Sequence, residues 1–459
     1  VEHTSFSKLN MHPDLLNNLE SLSYHEMTPI QARSLPDILA GKDVIGQGKT
    51  GSGKTAAFGL GLLQKLDLKQ YKIQSLVLCP TRELADQVTK EIRRLARQMP
   101  NVKVLTLCGG MPFGPQVGSL EHGAHIIVGT PGRIEDHLSR STLSLKDVNT
   151  LVLDEADRML DMGFQASVDH IVDQIPKWRQ TLLFSATFPD QIQAIVKRIM
   201  LKPIMVKVES THDSNTISQH FYNVDDFKQS VIGLRLLLLK HKPESSVVFC
   251  NTKKETLDIT NELNQNGFSA LALNGDLEQW DRDQTLVRFA NKSISILVAT
   301  DVAARGLDID ALDAVFNFQL PHEPDTYVHR IGRTGRAGST GSSFTLHNGN
   351  AYKLTMLSDY IKTPIKSEAL PDAILLKNHP AKPLMATLQI GGGKKQKVRP
   401  GDILGALTGG NGITGKQVGK IQILDNWAYV AVSQSIVKIA LKKLSEGTLK
   451  GRSFRVRLI

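Results

Sequence analysis

Eight residues, Gly48-Lys49-Thr50-Gly51-Ser52-Gly53-Lys54-Thr55, carry the spacing G-x-x-x-x-G-K-T. Glycines at these positions let the backbone curl so that successive N–H groups point inward at phosphate oxygens. Lys54 then reaches the β- and γ-phosphates, and the Thr55 hydroxyl becomes a ligand for Mg²⁺. The short apolar run Asp43-Val44-Ile45 precedes the loop, and Ala56-Ala57-Phe58-Gly59-Leu60 continues it as a helix whose positive dipole end faces the same anion. A glycine-rich surface turn would not need that strand–loop–helix context. The chemistry is nucleotide binding, with Gly51, Ser52, Gly53, Lys54 and Thr55 around the phosphates.

A second cluster is Asp154-Glu155-Ala156-Asp157, directly after the apolar run Thr150 to Leu153. Two adjacent acids at the end of a buried strand suit metal holding and water activation. Asp154 would hold the metal, and Glu155 would orient or deprotonate the attacking water. A third cluster is His329-Arg330-Ile331-Gly332-Arg333-Thr334-Gly335-Arg336, with arginines spaced by three and interleaved with glycine. That pattern makes a poor core and an odd solvated face. It suits guanidinium groups that stabilise charge on a transferring phosphoryl group, and equally a basic loop on RNA.

These residues need elements to carry them. Ser75 to Cys79, Lys103 to Leu107, His125 to Val128, Thr150 to Leu153 and Gln180 to Phe184 are near-continuous apolar runs separated by helical stretches, the pattern of buried parallel strands. A doubly wound α/β domain is expected over residues 1–207 and a linker over 208–218. Ser246 to Cys250, Ala270 to Leu273, Ser295 to Ala299 and Ala314 to Asn317 repeat the pattern, giving a second α/β domain over 219–370 that has no phosphate loop and supplies the arginines. Hydrolysis would then require the two domains to close on each other. A proline-punctuated linker, 371–383, leads to residues 384–459, where strand, helix, strand, strand, helix, strand is the order of an RRM-like α+β domain.

Charge divides along the same boundaries. The 459 residues carry a net charge of +10, yet residues 380–459 alone hold 14 basic and 3 acidic side chains. The excess positive charge is confined to the tail, the electrostatic footprint of a nucleic-acid partner. Cys79, Cys108 and Cys250 have neither metal-ligand nor paired spacing, which suggests a reducing compartment. No secretory signal or membrane-length apolar run is evident, so the expected location is cytoplasmic, with no membrane association.

Taken together, the motifs resemble the DEAD-box RNA helicase family from residue 6 to about 345. By that resemblance, Met27-Thr28-Pro29-Ile30-Gln31 is the adenine-reading motif. Gln31 would bond the adenine edge, Tyr24 would stack on its face, and Phe6 would pack behind. Pro80, Thr81 and Arg82, Gly110 with Gly109, and Thr130, Gly132 and Arg133 match the RNA-contacting motifs of the first domain. Ser185 and Thr187 match the coupling motif. In the second domain, Asp308 would touch the ribose, and Arg282 and Thr300 the RNA backbone. His329 would join the γ-phosphate network, and Arg333 and Arg336 would be the arginine fingers. Ten such motifs in order leave chance agreement negligible. Two positions depart from the family pattern: Gly48, usually alanine, is expected to loosen the loop, and Ser23, usually glycine, to be nearly neutral. Neither removes a catalytic group.

The tail resembles the specificity domain of the DbpA subgroup, particularly in Leu449-Lys450-Gly451-Arg452-Ser453-Phe454-Arg455-Val456-Arg457. Trp427 and Tyr429 fall where RRM proteins display stacking aromatics, but the surrounding residues depart from that pattern. The two rings therefore either stack on RNA or pack in the core. Lys394, Lys395, Lys397, Arg399, Lys442, Lys443, Lys450, Arg452, Arg455 and Arg457 are the basic candidates for RNA contact. The resemblance implies an ATP- and Mg²⁺-using RNA helicase that unwinds short duplexes, tethered to a hairpin of large-subunit (23S) rRNA in pre-ribosomal particles, with no obligate protein partner evident. The competing classes are an RNA clamp or chaperone with little ATP turnover and a translocating DNA helicase. Intact Lys54, Asp154, Glu155 and Arg336 argue against the first. Gln31 with the Asp154–Asp157 quartet argues against the second.

Overall fold

Seven short strands build the first sheet: β1 (Val44–Gln47), β2 (Ser75–Leu78), β3 (Val104–Leu107), β4 (Ile126–Gly129), β5 (Thr150–Asp154), β6 (Gln180–Ser185) and β7 (Ile204–Lys207). All pair in parallel, in the order β3-β4-β2-β5-β6-β1-β7. The runs are apolar on both sides because helices cover both faces. Val77, Val152 and Leu182 enter one core and Leu76, Leu151 and Leu183 the other. The computed structural model describes residues 5–48, 51–208, 217–304, 312–335, 340–410 and 412–459.

The chain divides into two units, and the second holds two further sheets. One comprises β8 (Ile217–Asn223), β9 (Ser246–Cys250), β10 (Ala270–Leu273), β11 (Ile296–Thr300), β12 (Ala314–Asn317), β13 (Gly341–His347) and β14 (Ser367–Glu368), parallel in the order β10-β11-β9-β12-β13-β8-β14. Both seven-stranded sheets have the RecA-like arrangement. Of the stretch read as a first linker, Glu209 to Thr216 lie outside the described residues, while Ile217 and Ser218 open β8.

The last sheet is antiparallel: β15 (Met385–Ile390), β16 (Val418–Ile423), β17 (Ala428–Ser433) and β18 (Val456–Leu458), in the order β16-β17-β15-β18. With the helices Pro400–Thr408 and Val437–Glu446 it gives the βαββαβ RRM-like domain. Ala386, Leu388, Ile390, Val430 and Val432 face those helices.

The other face of this sheet is covered as well. Thr387 is fully buried, and its hydroxyl meets Asn291 Nδ2 at 3.1 Å and Ser293 Oγ at 2.7 Å. Arg457 on β18 lies over the Trp280 ring, 5.7 Å from its centroid. Asn291 and Ser293 follow the helix Gln279–Ala290 of the preceding domain, so the small domain is docked on it sheet-first. All three cysteines are free and buried. Among the described residues no helix is long and apolar enough to cross a membrane.

Candidate nucleotide and RNA site

The strand order sorts the chemistry of the first sheet. Loops after the neighbouring strands β3, β4 and β2 carry the RNA-motif residues. Loops after β5, β6 and β1 carry the acids, the coupling motif and the phosphate loop. All open at the carboxyl ends of the strands, where open α/β sheets bind ligands. The two groups meet where β2 adjoins β5.

In the phosphate loop, Gly51 and Gly53 adopt left-handed φ values of 83° and 95°, which glycine reaches without a Cβ penalty. Lys49 and Thr50 lie outside the described residues. The helix Lys54–Lys65 starts directly after Gly53. Buried Lys54 donates from Nζ to Gly48 O at 2.5 Å, and the Ser52 hydroxyl is buried without a hydrogen-bond partner. An orphaned hydroxyl, an inward lysine and a helix start together fit a triphosphate. Thr55, half-buried, stands in the first helical turn, where a hydroxyl suits Mg²⁺.

Gln31 is tied to this loop from the side. Its Oε1 accepts from Thr28 N at 2.9 Å, and its Nε2 donates to Gly53 O at 3.0 Å. The Thr28 hydroxyl donates to Ser52 O at 2.8 Å. One N–H of Gln31 and one lone pair remain for an adenine edge. The Tyr24 hydroxyl donates to Glu91 at 2.9 Å, and Phe6, buried, meets the Tyr24 ring edge-on.

One of the two departures from the family pattern behaves contrary to expectation. Ser23 has φ 61°, in the left-handed region where glycine is favoured, so it is strained rather than neutral, by roughly 1 kcal/mol. Gly48 lacks a positive φ. A methyl there would meet Ser52 Oγ at 3.2 Å, a contact that a small shift of that hydroxyl relieves.

Asp154 ends β5 in full burial, and its carboxyl is raised to about 7 by that burial, against the pull of Lys54 and with the push of Glu155. A nearby divalent cation would restore its charge. Glu155 has a left-handed backbone, φ 53°, and its carboxylate accepts from Arg158 at 2.5 Å, both side chains being buried. Asp157 is the hub of the coupling motif. Its Oδ2 accepts from Ala186 N, Thr187 N and Thr187 Oγ1, while its own N–H donates to Ser185 Oγ at 3.3 Å. Burial alone would raise its pKa, but the Thr187 and Ser185 bonds more than offset this and hold it below the usual range. The sequence placed Ser185 and Thr187 beside the acids but did not single out Asp157 as their partner.

On the RNA side, Thr81 follows Pro80 and caps the helix Arg82–Leu95 by accepting from Leu84 N. Arg82 is half-buried at that helix start. Gly109, Gly110 and Gly132 are open to solvent on their Cα faces or, for Gly110, turned by φ 71°. Thr130 stands at the N-cap position of the helix Pro131–Ser139, and Arg133 donates from Nη1 to Met111 O at 3.0 Å, knitting this loop to the Gly109–Gly110 loop.

In the second unit, Arg282 Nη2 donates to Ala303 O at 2.8 Å and the Thr300 hydroxyl accepts from Ala303 N, so both predicted RNA contacts converge on one turn. Asp308 and Arg336 lie outside the described residues. His329 is half-exposed and Arg333 buried. Arg330 overturns the expectation that this arginine run makes a poor core. It is fully buried and makes paired 2.7 Å bonds to the two oxygens of Asp301, with further bonds to Asn251 Oδ1 and Gln319 O. A planar five-donor fork can satisfy such a cage completely.

In the small domain, the two aromatics differ in burial. Tyr429 is buried on the docked face, and its hydroxyl accepts from Gln389 Nε2 at 3.1 Å, whereas Trp427 is 37% exposed. Sheet-face stacking is excluded because that face is covered. Several basic candidates are also engaged structurally; Lys394 pairs with Asp425 and Lys450 with Asp402 at the surface. Lys443 bonds Leu407 O and Gly409 O at a helix end, and Arg457 bonds Gln389 at 2.5 Å. Exposed Lys394, Lys395, Lys397, Arg399, Lys450, Arg452 and Arg455 sit on two adjoining loops. Lys450 Nζ donates to Lys397 O, and Gly391 N donates to Arg455 O.

Three protein-family descriptions match the chain: DEAD/DEAH box helicase over residues 28–195, Helicase conserved C-terminal domain over 228–338, and DbpA RNA binding domain over 387–458. The chain is 54% identical over 458 residues to the ATP-dependent RNA helicase DbpA of Escherichia coli, covering 99% of this chain and 100% of that one. It is 47% identical over 339 residues to the DEAD-box ATP-dependent RNA helicase CshA of Bacillus cereus, covering 74% of this chain and 64% of that one. Among solved structures, S. cerevisiae Dbp5 bound to RNA and ADP BeF3 aligns with a TM-score of 0.72 at 29% identity, over 82% of this chain and 99% of that one.

Proposed function

The chain belongs to the DEAD-box family of ATP-dependent RNA helicases, and from that premise we propose that it opens short RNA duplexes locally while its C-terminal domain holds a hairpin of large-subunit (23S) rRNA. It is an RNA-dependent ATPase with an RNA-binding C-terminal domain; the rRNA target, a role in assembling the large ribosomal subunit and a cytoplasmic location are the proposal. The observation that carries it is the junction of β2 and β5, where RNA-motif loops adjoin the acid-bearing end of the phosphate site.

ATP, with Mg²⁺, supplies the phosphoanhydride bond whose cleavage drives release of the RNA. Lys54, the loop amides and the Ser52 hydroxyl grip the phosphates, with Thr55 and Asp154 as the groups that would hold the metal. Gln31 and Tyr24 orient the base. Glu155, held by Arg158, orients the attacking water. Asp157 ties the acids to Ser185 and Thr187, so a shift at the phosphate end is felt on the strand beside it. Pro80, Thr81, Arg82, Gly110, Thr130, Gly132 and Arg133 grip RNA by its backbone, which carries no sequence information. The second domain contributes Arg282 and Thr300 to the strand, Asp308 to the ribose, and His329, Arg333 and Arg336 to the γ-phosphate on closure. Specificity comes from Lys394, Lys395, Lys397, Arg399, Lys450, Arg452 and Arg455, and tethering raises the local concentration of neighbouring duplex.

The test is phosphate release across a tiled set of 23S rRNA fragments. One fragment containing a hairpin should stimulate at far lower concentration than generic RNA of equal length, and lose that advantage when residues 380–459 are deleted. Equal stimulation by all fragments would defeat the rRNA assignment.

A further inference from the structure

Two loops that the proposed function assigns to RNA, Gly109–Gly110 and Thr130–Arg133, are joined beneath the surface by a buried polar relay. His137, fully buried on the helix Pro131–Ser139, places Nε2 3.1 Å from Gln116 Oε1. Gln116, also buried, donates from Nε2 to Cys108 O at 3.0 Å, the carbonyl directly before Gly109. Because the Gln116 amide gives its NH₂ to that carbonyl, its oxygen faces the imidazole, and His137 Nε2 must carry the proton. Burial, with Arg133 and Arg140 nearby, holds the ring below the ordinary histidine range. Nδ1 lies 2.8 Å from the Thr142 hydroxyl oxygen, which is also 3.1 Å from His137 O. The Phe113 ring stacks on the imidazole at 4.3 Å and 19°, with the Arg140 guanidinium 4.6 Å from the Phe113 centroid.

A buried polar chain contributes little net stability compared with an apolar filling of the same volume. What it supplies is direction. The Gly109–Gly110 loop needs that, because it is exposed: a Cβ on Gly109 would meet open space, Met111 is 38% exposed, and its surface tie to the neighbouring loop is the Arg133 bond to Met111 O. We infer that His137 and Gln116 are positioning residues for RNA binding, their relay fixing the Gly109–Gly110 loop at a set distance from the Thr130–Arg133 loop so that both meet the backbone of one strand. This rests on the proposed RNA role of those two loops.

The test compares three full-length variants by the RNA concentration giving half-maximal ATPase stimulation, kcat at saturating RNA, nucleotide affinity without RNA, and Tm. Gln116→Leu keeps the volume and removes both bonds. It should raise the half-saturating RNA about tenfold, as expected for a lost buried hydrogen bond at a binding surface. Nucleotide affinity and kcat at saturation should stay within about twofold. His137→Gln, which can still donate to Gln116, should recover much of the RNA affinity. Gly132→Glu adds a carboxylate where a Cβ meets open space, and should weaken RNA binding by charge repulsion without a loss of Tm. If Gly132→Glu leaves RNA affinity unchanged, the RNA assignment of the loops fails. If Gly132→Glu weakens binding but Gln116→Leu lowers only Tm, the loops bind RNA and the relay is merely structural, which overturns the inference.

Discussion

Thr187 gives both its amide N–H and its hydroxyl to one oxygen of Asp157, each at 2.8 Å. The bonds join the last acid of the quartet after β5 to the loop after β6. Thr187→Val keeps the backbone bond and removes the hydroxyl's. The expected cost in stability is about 1 kcal/mol. Strand separation per ATP consumed should fall much more than RNA-stimulated hydrolysis does. Parallel unwinding and phosphate-release assays check this, and equal losses in both would show that Thr187 serves hydrolysis and not coupling.

Asp154 supplies a pH signature. An ordinary carboxyl in the unfolded chain has a pKa of about 3.9, whereas the folded carboxyl stands at about 7. Between those values the folded state keeps a proton that the unfolded state releases, so this group's contribution falls as pH rises through the window. Asp154→Asn removes the charge but keeps an oxygen for the Glu155 amide, which donates to Oδ1 at 3.0 Å. In protein free of nucleotide and magnesium, its Tm should match the parent near pH 4 and exceed it increasingly up to pH 7, with a ceiling on the order of 4 kcal/mol. A Tm difference that stays flat across this range would count against the raised carboxyl.

Much of this was legible in the chain because its signals are local. The phosphate loop, the Asp154 quartet and the apolar strands β2, β5, β9 and β11 declare themselves within a few residues. What escaped depends on distant partners. Strand β13 reads Gly341-Ser342-Ser343-Phe344-Thr345-Leu346-His347, too polar for a buried strand, yet Thr345 Oγ1 accepts from Asn317 on β12. Thr387 and Gln389 look like a solvated sheet face until Asn291 and Ser293, almost a hundred positions earlier, cover it. Asp301 lies 29 positions from Arg330, and no spacing rule announces that pair. The strain at Ser23 is invisible too, since φ is not written in residue type.

Arg330 and Arg333, three positions apart, should fail in different ways. Arg330 is caged by Asp301, Asn251 and Gln319 O, so Arg330→Ala empties a fully buried site and leaves the partly exposed Asp301 carboxylate unpaired. Its Tm loss should correspond to about 3–5 kcal/mol. Arg333→Ala should abolish RNA-stimulated hydrolysis while ATP binding survives. Thermal unfolding and fluorescent-nucleotide titration of both variants separate the two roles. Normal turnover in Arg333→Ala would remove it from the transition state.

The C-terminal domain separates its basic residues into free and engaged groups, and the salt dependence of RNA binding should report the difference. Each phosphate contact contributes about one unit to the slope of log K against log salt. Lys395→Ala and Arg452→Ala, both on the exposed loops, should each lower the slope by roughly one unit with little change in Tm. Lys443→Ala should do the reverse. Its ammonium caps the helix Pro400–Thr408 through Leu407 O and Gly409 O, so its loss should lower Tm and leave the slope near the parent value. The aromatics divide likewise: Tyr429→Ala opens a cavity on a docked face and should destabilise by about 3–5 kcal/mol. Trp427→Ala, from a partly exposed ring beside Gly391, should cost about 1–3 kcal/mol of RNA binding if a base stacks there. A salt slope lowered by Lys443→Ala and untouched by Arg452→Ala would move the RNA surface from the loops to the helical side of the domain.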